Sequence, residues 1–485
     1  MPMRRSRTRR IRWAALLAAG VASAVAGVVG VVQPAATAGP ASVIAWAPCP
    51  QDATAQCGTL SVPVDWADPA APRLDLAVAR RPAADPQARI GTLVFGPGGP
   101  GDSGVSRVVT GVGRFSDELR RRFDIVSFDP RGVGGSNPVA CSPDLLASRP
   151  SPLLTSQAEF DALLAYNQRL RDDCRARTGP VFDHADTLST VRDLDAIRAA
   201  LGEDRLTFHG SSYGTLLGEQ YAEAFPHRVR ALVLESVVDH SLGTRGFLTS
   251  QAAAVQDSFD EFVAWCDRTA GCALHGRDVR AVWADLMARA ERGELRSATD
   301  PAVAVTPFDL VVTAHRGFAR PAWADLANRL ATMHAGGPAA VAAFPPLVTA
   351  AFCADWSLPV RDYRQYADLL RRAARVAPDV RYSASLWAVA ACLGWPQPVA
   401  NPQHRLKVRG TPPILLVNSR HDPASGYNWA TNVARQLGDR GVLLTYEGWG
   451  HGAYTRSACT TGAVDEYLIS TRPPAPRATC PAVEP

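Results

Sequence analysis

Three residues whose types can together make a hydroxyl nucleophilic occur in a productive order along the chain. Ser212 lies in Gly210-Ser211-Ser212-Tyr213-Gly214, Asp422 in Asn418-Ser419-Arg420-His421-Asp422, and His451 in Gly448-Trp449-Gly450-His451-Gly452. A serine needs a general base to lose its proton, and the base needs an acid to hold its tautomer and orientation. Only Ser212, not Ser211, is central between the two glycines of a G-x-S-x-G pattern, and the order serine, acid, histidine is the one expected when the nucleophile sits on a strand-to-helix turn. His421 competes for the role of base but precedes the acid. The stretch Phe95–Gly104, FGPGGPGDSG, supplies bare backbone N–H groups for a developing oxyanion. It has neither the lysine of a phosphate-binding loop nor G-x-G-x-x-G spacing. The expected donors are the N–H of Gly99 and that of Tyr213, the residue after the nucleophile.

These residues work only if something brings them together. Short apolar runs bounded by Gly, Pro or Asp predict buried strands at Leu74–Arg81, Gly91–Gly96, Phe123–Asp129, Arg205–Gly210, Arg230–Ser236, Pro412–Asp422 and Gly441–His451. Between them, Val191, Leu194, Ile197 and Leu201 recur at helical spacing. Such alternation implies a mainly parallel sheet with helices on both faces. Ser212 lies just after a predicted strand, and Asp422 and His451 close the C-terminal ends of two others, so all three fall at the strand ends where open sheets carry their sites. From about 240 to 405 the pattern is helical, with apolar faces at Val255, Phe259, Phe262, Val263 and Cys266, at Val279, Val282, Trp283, Leu286 and Met287, and at Trp323, Leu326, Leu330 and Met333. The expected organisation is a signal peptide over 1–38, a first part of the core over 39–240, an inserted helical lid over 241–405 and the rest of the core over 406–485.

The formal net charge of +5 in 485 residues comes from the leader. Six arginines within residues 1–38 face no acid, and without them the chain stands at −1. A near-neutral body gives no electrostatic reason to bind nucleic acid. The arginines precede the apolar run Trp13–Val32 and Ala36-Thr37-Ala38, an A-x-A-like cleavage site. Export as a secreted protein is expected, without stable membrane association after cleavage; an uncleaved anchor is the rival, and Arg9-Arg10 is a candidate twin-arginine pair. The ten cysteines form no C-x-x-C pair, so disulfides in an oxidising compartment are the simplest reading. Proximity favours Cys49–Cys57, Cys141–Cys174, Cys266–Cys272, Cys353–Cys392 and Cys459–Cys480. No metal or organic cofactor is implied.

Taken together, GPGGPGDSG, FDPRGVGGS (Phe128–Ser136), GSSYGT, NSRHDPAS and GWGHG resemble the secreted actinobacterial tripeptidyl aminopeptidases, relatives of the proline iminopeptidases with the α/β-hydrolase fold. The resemblance runs over essentially the whole mature chain, with a characteristic C-terminal region after about Gly410. It implies Ser212, Asp422 and His451 as a triad that releases short peptides from free N-termini through an acyl-enzyme. Two departures stand out: Glu235-Ser236 replaces an Asp-Gly pair, and Gly96 replaces an Asn at the head of the oxyanion loop. Neither is a triad residue.

An exopeptidase must hold the substrate ammonium, which calls for a carboxylate in a partly closed pocket. Glu235, at a strand end, and Asp355, in the lid beside Cys353, are the expected substrate-binding acids. Asp129 and Arg131 in DPRG are expected to tie a turn near the oxyanion loop rather than act in catalysis. The competing functions are an esterase or amidase on small non-peptide acyl compounds, and a non-catalytic binding protein on the same scaffold.

Overall fold

A computed structural model describes residues 43–68, 70–341 and 349–485. The expected leader therefore lies outside the described residues. Among the described residues ten strands form one sheet: β1 (Ala47–Pro48), β2 (Gln56–Pro63), β3 (Arg73–Arg81), β4 (Gly91–Gly96), β5 (Phe123–Phe128), β6 (Leu206–Ser211), β7 (Val229–Glu235), β8 (Ile414–His421), β9 (Gly441–Trp449) and β10 (Thr479–Cys480). The spatial order is β1-β2-β3-β5-β4-β6-β7-β8-β9-β10. From β5 to β10 every pairing is parallel; β1, β2 and β3 extend the sheet antiparallel, and β3 meets β5 antiparallel.

The central strands are buried at nearly every position because both faces are covered. Side chains alternate between two cores. Val94, Phe208, Leu232, Leu234, Ile414 and Leu416 pack on one face, and Leu93, Phe95, Val233, Leu415 and Val417 on the other. Period-two alternation in a fully buried strand is the expected consequence of the pleat.

Between β7 and β8 the described chain is helical: Thr244–Arg268, Val279–Glu291, Pro307–Ala319, Trp323–His334, Thr349–Asp355, Tyr363–Val376 and Leu386–Ala391. Local chemistry sets their starts. Pro307 opens one helix behind a reciprocal cap between Thr306 and Asp309, which satisfies N–H groups that the helix itself cannot pair. The insertion has a core of its own, in which Phe262 and Trp265 pack against Trp323, and Phe259 against Trp283. The helix Gln157–Thr178, from the segment between β5 and β6, joins that core through Phe160, Leu163, Tyr166 and Leu170.

All five cysteine pairs favoured by proximity are bonded. Cys353–Cys392 joins two short segments of the insertion, and Cys459–Cys480 ties the last helix, Ala458–Ser470, to β10. Among the described residues, no helix is long and apolar enough to cross a membrane.

Candidate active site

Ser212 stands between β6 and the helix Tyr213–Ala224 with φ 55° and ψ −123°. A non-glycine residue rarely adopts that backbone, and it persists only where the surroundings over-determine it. Here they do. A Cβ on Gly210 would come within 2.3 Å of the Gly214 carbonyl oxygen, and one on Gly214 within 2.3 Å of the Gly96 carbonyl oxygen. The two motif glycines thus let the turn close on itself and on the loop after β4. The Ser212 N–H donates to the Glu235 carbonyl at 2.8 Å, and the Ser212 carbonyl accepts from both the N–H and the hydroxyl of Thr215 at 2.8 Å. The Ser212 side chain caps nothing in its own helix.

The loop after β4 passes directly beside this serine. A Cβ on Gly98 would sit 3.1 Å from the Ser212 Cβ and 3.6 Å from its Oγ. Gly99 follows with φ 106°. Gly98, which the sequence did not single out, is therefore the glycine that lets the loop approach the hydroxyl, and its neighbour Gly99 and Tyr213 carry the N–H groups expected to serve as donors.

Asp422 and His451 are brought together. The His451 Nδ1–H faces both Asp422 oxygens at 3.0 Å. Asp422 is buried, and its carboxylate also accepts from the Ala424 N–H (2.8 Å), the Ser425 N–H (2.9 Å) and the Ser236 hydroxyl (2.8 Å). The His451 ring keeps 24% of its side chain exposed. Burial pulls its pKa down, but the Asp422 charge and hydrogen bond outweigh that and leave it above the usual histidine range. The His451 N–H donates to the Ala319 carbonyl (2.9 Å) at the end of the helix Pro307–Ala319, while Arg456 spans the carbonyls of Gly452, His451 and Ala319. Gly450, at φ 99°, leaves room for that guanidinium: a Cβ there would meet Arg456 Nη2 at 2.7 Å. The glycines around His451 thus shape a turn tied to the helix Pro307–Ala319. No hydrogen bond joins Ser212 Oγ to His451 among the described residues; such contacts often tighten only when substrate binds.

Both expected substrate-binding acids, Glu235 and Asp355, are buried and hydrogen-bonded within the fold. Glu235 is buried, and its oxygens are already used: Oε2 accepts from Arg114 Nη2 (2.5 Å) and His209 Nε2 (3.0 Å), and Oε1 from the Tyr454 N–H (2.8 Å). Burial would raise its pKa, but the Arg114 charge and the donated bonds hold the carboxyl well below its ordinary range. Asp355 is fully buried and accepts four bonds, from the Thr187 N–H (2.8 Å) and hydroxyl (2.5 Å), the Tyr213 hydroxyl (2.6 Å) and Asn401 Nδ2 (2.8 Å). Burial, aided by nearby Asp186, pushes it up to about 7. Both carboxylates are thus engaged by donors of the protein's own fold. Asp355 instead fixes Tyr213 from the insertion side.

Asp129 and Arg131 sit in structural roles. Asp129 accepts from the Ser103 hydroxyl (2.6 Å), the Val105 N–H (3.0 Å) and the Gly135 N–H (2.8 Å), anchoring the segment just after the oxyanion loop. Arg131 is buried against Asp193 in a two-pronged pair at 2.6 and 2.7 Å. His421, the rival base, turns to Asp257 on the helix Thr244–Arg268 and stacks on Trp449. Among residues the sequence did not flag, His315 on the helix Pro307–Ala319 is charge-coupled to His451 and Asp422, and burial lowers its pKa to about 4. It lies one turn before Ala319, the residue bonded to His451, and nothing in its sequence context marks it. Among the described residues no group of three His, Cys, Asp or Glu side chains is placed to hold a metal ion.

The family model described as TAP-like protein matches residues 380–480. The chain is 32% identical to serine protease Hip1 of Mycobacterium tuberculosis, over 99% of this chain and 100% of that protein. It is 32% identical to tripeptidyl aminopeptidase of Streptomyces lividans, over 88% and 83%, and 30% identical to carboxylesterase B of Mycobacterium tuberculosis, over 87% and 85%. With its parallel sheet, its strained serine turn and its buried acid–imidazole pair at neighbouring strand ends, the chain belongs to the family of serine hydrolases with the α/β-hydrolase fold that includes serine protease Hip1 and the tripeptidyl aminopeptidases.

Proposed function

We propose that this protein is a secreted serine peptidase that releases short peptides, tripeptides above all, from free N-termini. Ser212 Oγ attacks the scissile carbonyl carbon and its proton passes to His451 Nε2. Asp422 holds the opposite ring nitrogen as N–H and stabilises the imidazolium. The N–H groups of Gly99 and Tyr213 receive the oxyanion. Collapse of the tetrahedral intermediate expels the amine, which takes the proton from His451, and water then hydrolyses the acyl-enzyme by the same route. The observation that carries this reading is the His451–Asp422 pair, with a buried acid accepting from two backbone N–H groups and a hydroxyl, at the same sheet edge as the strained serine. The tripeptide preference rests on the relatives named tripeptidyl aminopeptidase. Export is supported by the five disulfides and the arginine-led apolar start of the chain.

A second reading, an esterase or amidase on small acyl compounds, is favoured by the occupied carboxylates of Glu235 and Asp355 and by the relative named carboxylesterase B. A panel of aminoacyl-, dipeptidyl- and tripeptidyl-anilides set beside short acyl esters separates the two. The proposal expects the highest kcat/KM on free-amine tripeptidyl anilides, a loss when the amine is acetylated, and no turnover by Ser212→Ala. Preference for acetyl or butyryl esters with indifference to a blocked amine would give the second reading instead.

A further inference from the structure

Ser236 is the residue where the chain departs from an Asp-Gly pair. Its backbone explains why a glycine would suit the position: φ is 57°, in the left-handed region. A serine there is strained. It is also fully buried, one residue past β7. Its N–H donates to the Val417 carbonyl of β8 at 2.9 Å, which fixes the backbone, and its hydroxyl then makes two bonds of its own. Ser236 Oγ donates to Asp422 Oδ2 at 2.8 Å and accepts from the Gly452 N–H at 2.8 Å. Gly452 is the residue after His451. One hydroxyl therefore joins the acid to the turn that carries the base.

We propose that Ser236 is a positioning residue that locks the Asp422–His451 pair in register for proton transfer; this rests on the triad reading above. Without the hydroxyl, Asp422 Oδ2 keeps His451 as its one partner among the described residues, and the half-buried Gly452 N–H loses its acceptor. A donor held partly out of water without an acceptor is costly, so the turn shifts to find another one. The carboxylate also loses a bond that spreads its charge, which strengthens its pull on the imidazolium. The groups that face His451 are Asp422 after β8, Glu235 at the end of β7, Arg456 on its own turn and His315 on the helix Pro307–Ala319. Of these, the substitution changes only the bonding of Asp422.

Two variants test this. Ser236→Ala keeps the backbone strain and removes the hydroxyl, while a Cβ still occupies the site. Ser236→Gly relieves the strain and leaves space for a water between the same two groups. The expected results, on the best anilide of the panel, are a fall in kcat of about 10-fold or more for Ser236→Ala and about 3-fold for Ser236→Gly, with KM within twofold of wild type in both. The acid limb of kcat/KM should move to higher pH by several tenths of a unit. Ser236→Gly should unfold thermally at or above the wild-type temperature, which keeps the test valid if the alanine variant folds poorly. Fluorophosphonate titration corrects each preparation for active fraction. Wild-type kcat and an unmoved acid limb in Ser236→Gly would overturn the role, as would a loss of activity matched only by a loss of titratable sites. Failure of the triad reading shows separately, as turnover that survives Ser212→Ala.

Discussion

Glu235, on the rim where the parallel strands end, and Asp355, on the seam where the helical insertion meets the core, are both buried acids in surroundings that differ in kind. At the rim a guanidinium, a histidine N–H and a backbone N–H converge on Glu235. With a cation in contact the carboxylate stays charged, and its pKa falls despite burial. At the seam the donors to Asp355 among the described residues are neutral, from Thr187, Tyr213 and Asn401, and Asp186 is nearby, so burial wins and the group is pushed up to about 7. Asp422, on the rim and close to Glu235, likewise gathers backbone N–H groups, a hydroxyl and an imidazole. The rim is built to hold negative charge, and the seam to join two bodies without requiring it.

One kind of substitution, carboxylate to amide, should separate these environments. The largest effect is expected for Asp422→Asn: an amide cannot accept from Ala424, Ser425 and Ser236 and still hold the right His451 tautomer, so kcat should drop by about 10⁴-fold with the fold intact. Steady-state kinetics beside a thermal melt check this; a drop below tenfold would place the catalytic acid elsewhere. Glu235→Gln comes next. It leaves Arg114 partly buried without its counter-charge, at a cost of about 3 kcal/mol in stability. Because the folded pKa of Glu235 is depressed, that contribution is present above the ordinary glutamate pKa and is lost as pH falls through the folded value. The gap between variant and wild type in a denaturant titration should therefore be wide at pH 7 and narrow towards pH 3.

Asp355→Asn should have the smallest effect, and its sign should depend on pH. A raised folded pKa means that the acid's contribution is fully present below the unfolded value of 3.8 and is lost as pH climbs through about 7. The amide does not titrate, so the variant should gain on wild type in melting temperature between pH 5 and pH 8. KM for free-amine tripeptides should stay within twofold of wild type, since both oxygens of Asp355 are engaged by donors of the protein's own fold. A large rise in KM on those substrates, with none on an acetyl ester, would restore the acid as an anchor and dissolve the contrast between rim and seam.

The sequence made one side of this contrast readable. Strands β4 to β9 were legible because each is a short, branched, apolar run with punctuation at both ends, and their alternation with helices placed Ser212, Asp422 and His451 on one edge. The disulfide partners followed from proximity because each pair closes a local segment. The two-residue strands β1 and β10 were not legible, since they pair only because neighbours present an edge. Nor was the helix Gln157–Thr178, whose apolar residues are diluted by charge. Side-chain partners across the fold were the least readable. Arg114 reaches Glu235 across 121 positions and Ser236 reaches Asp422 across 186, and no spacing encodes such pairings. The sequence could place an acid on the rim but could not say whether its oxygens were free, and it passed over Ser236 because a departure from pattern says nothing about which way a hydroxyl turns.

The central claim is that His451, oriented by Asp422, activates Ser212. Its most direct test is the rate of covalent labelling by a fluorophosphonate, followed by intact mass, in wild type and in His451→Ala. The account predicts a single adduct on Ser212 in the wild type and labelling about 10³-fold slower or more without the imidazole. Equal rates in the two proteins, or an adduct on a different residue, would contradict it.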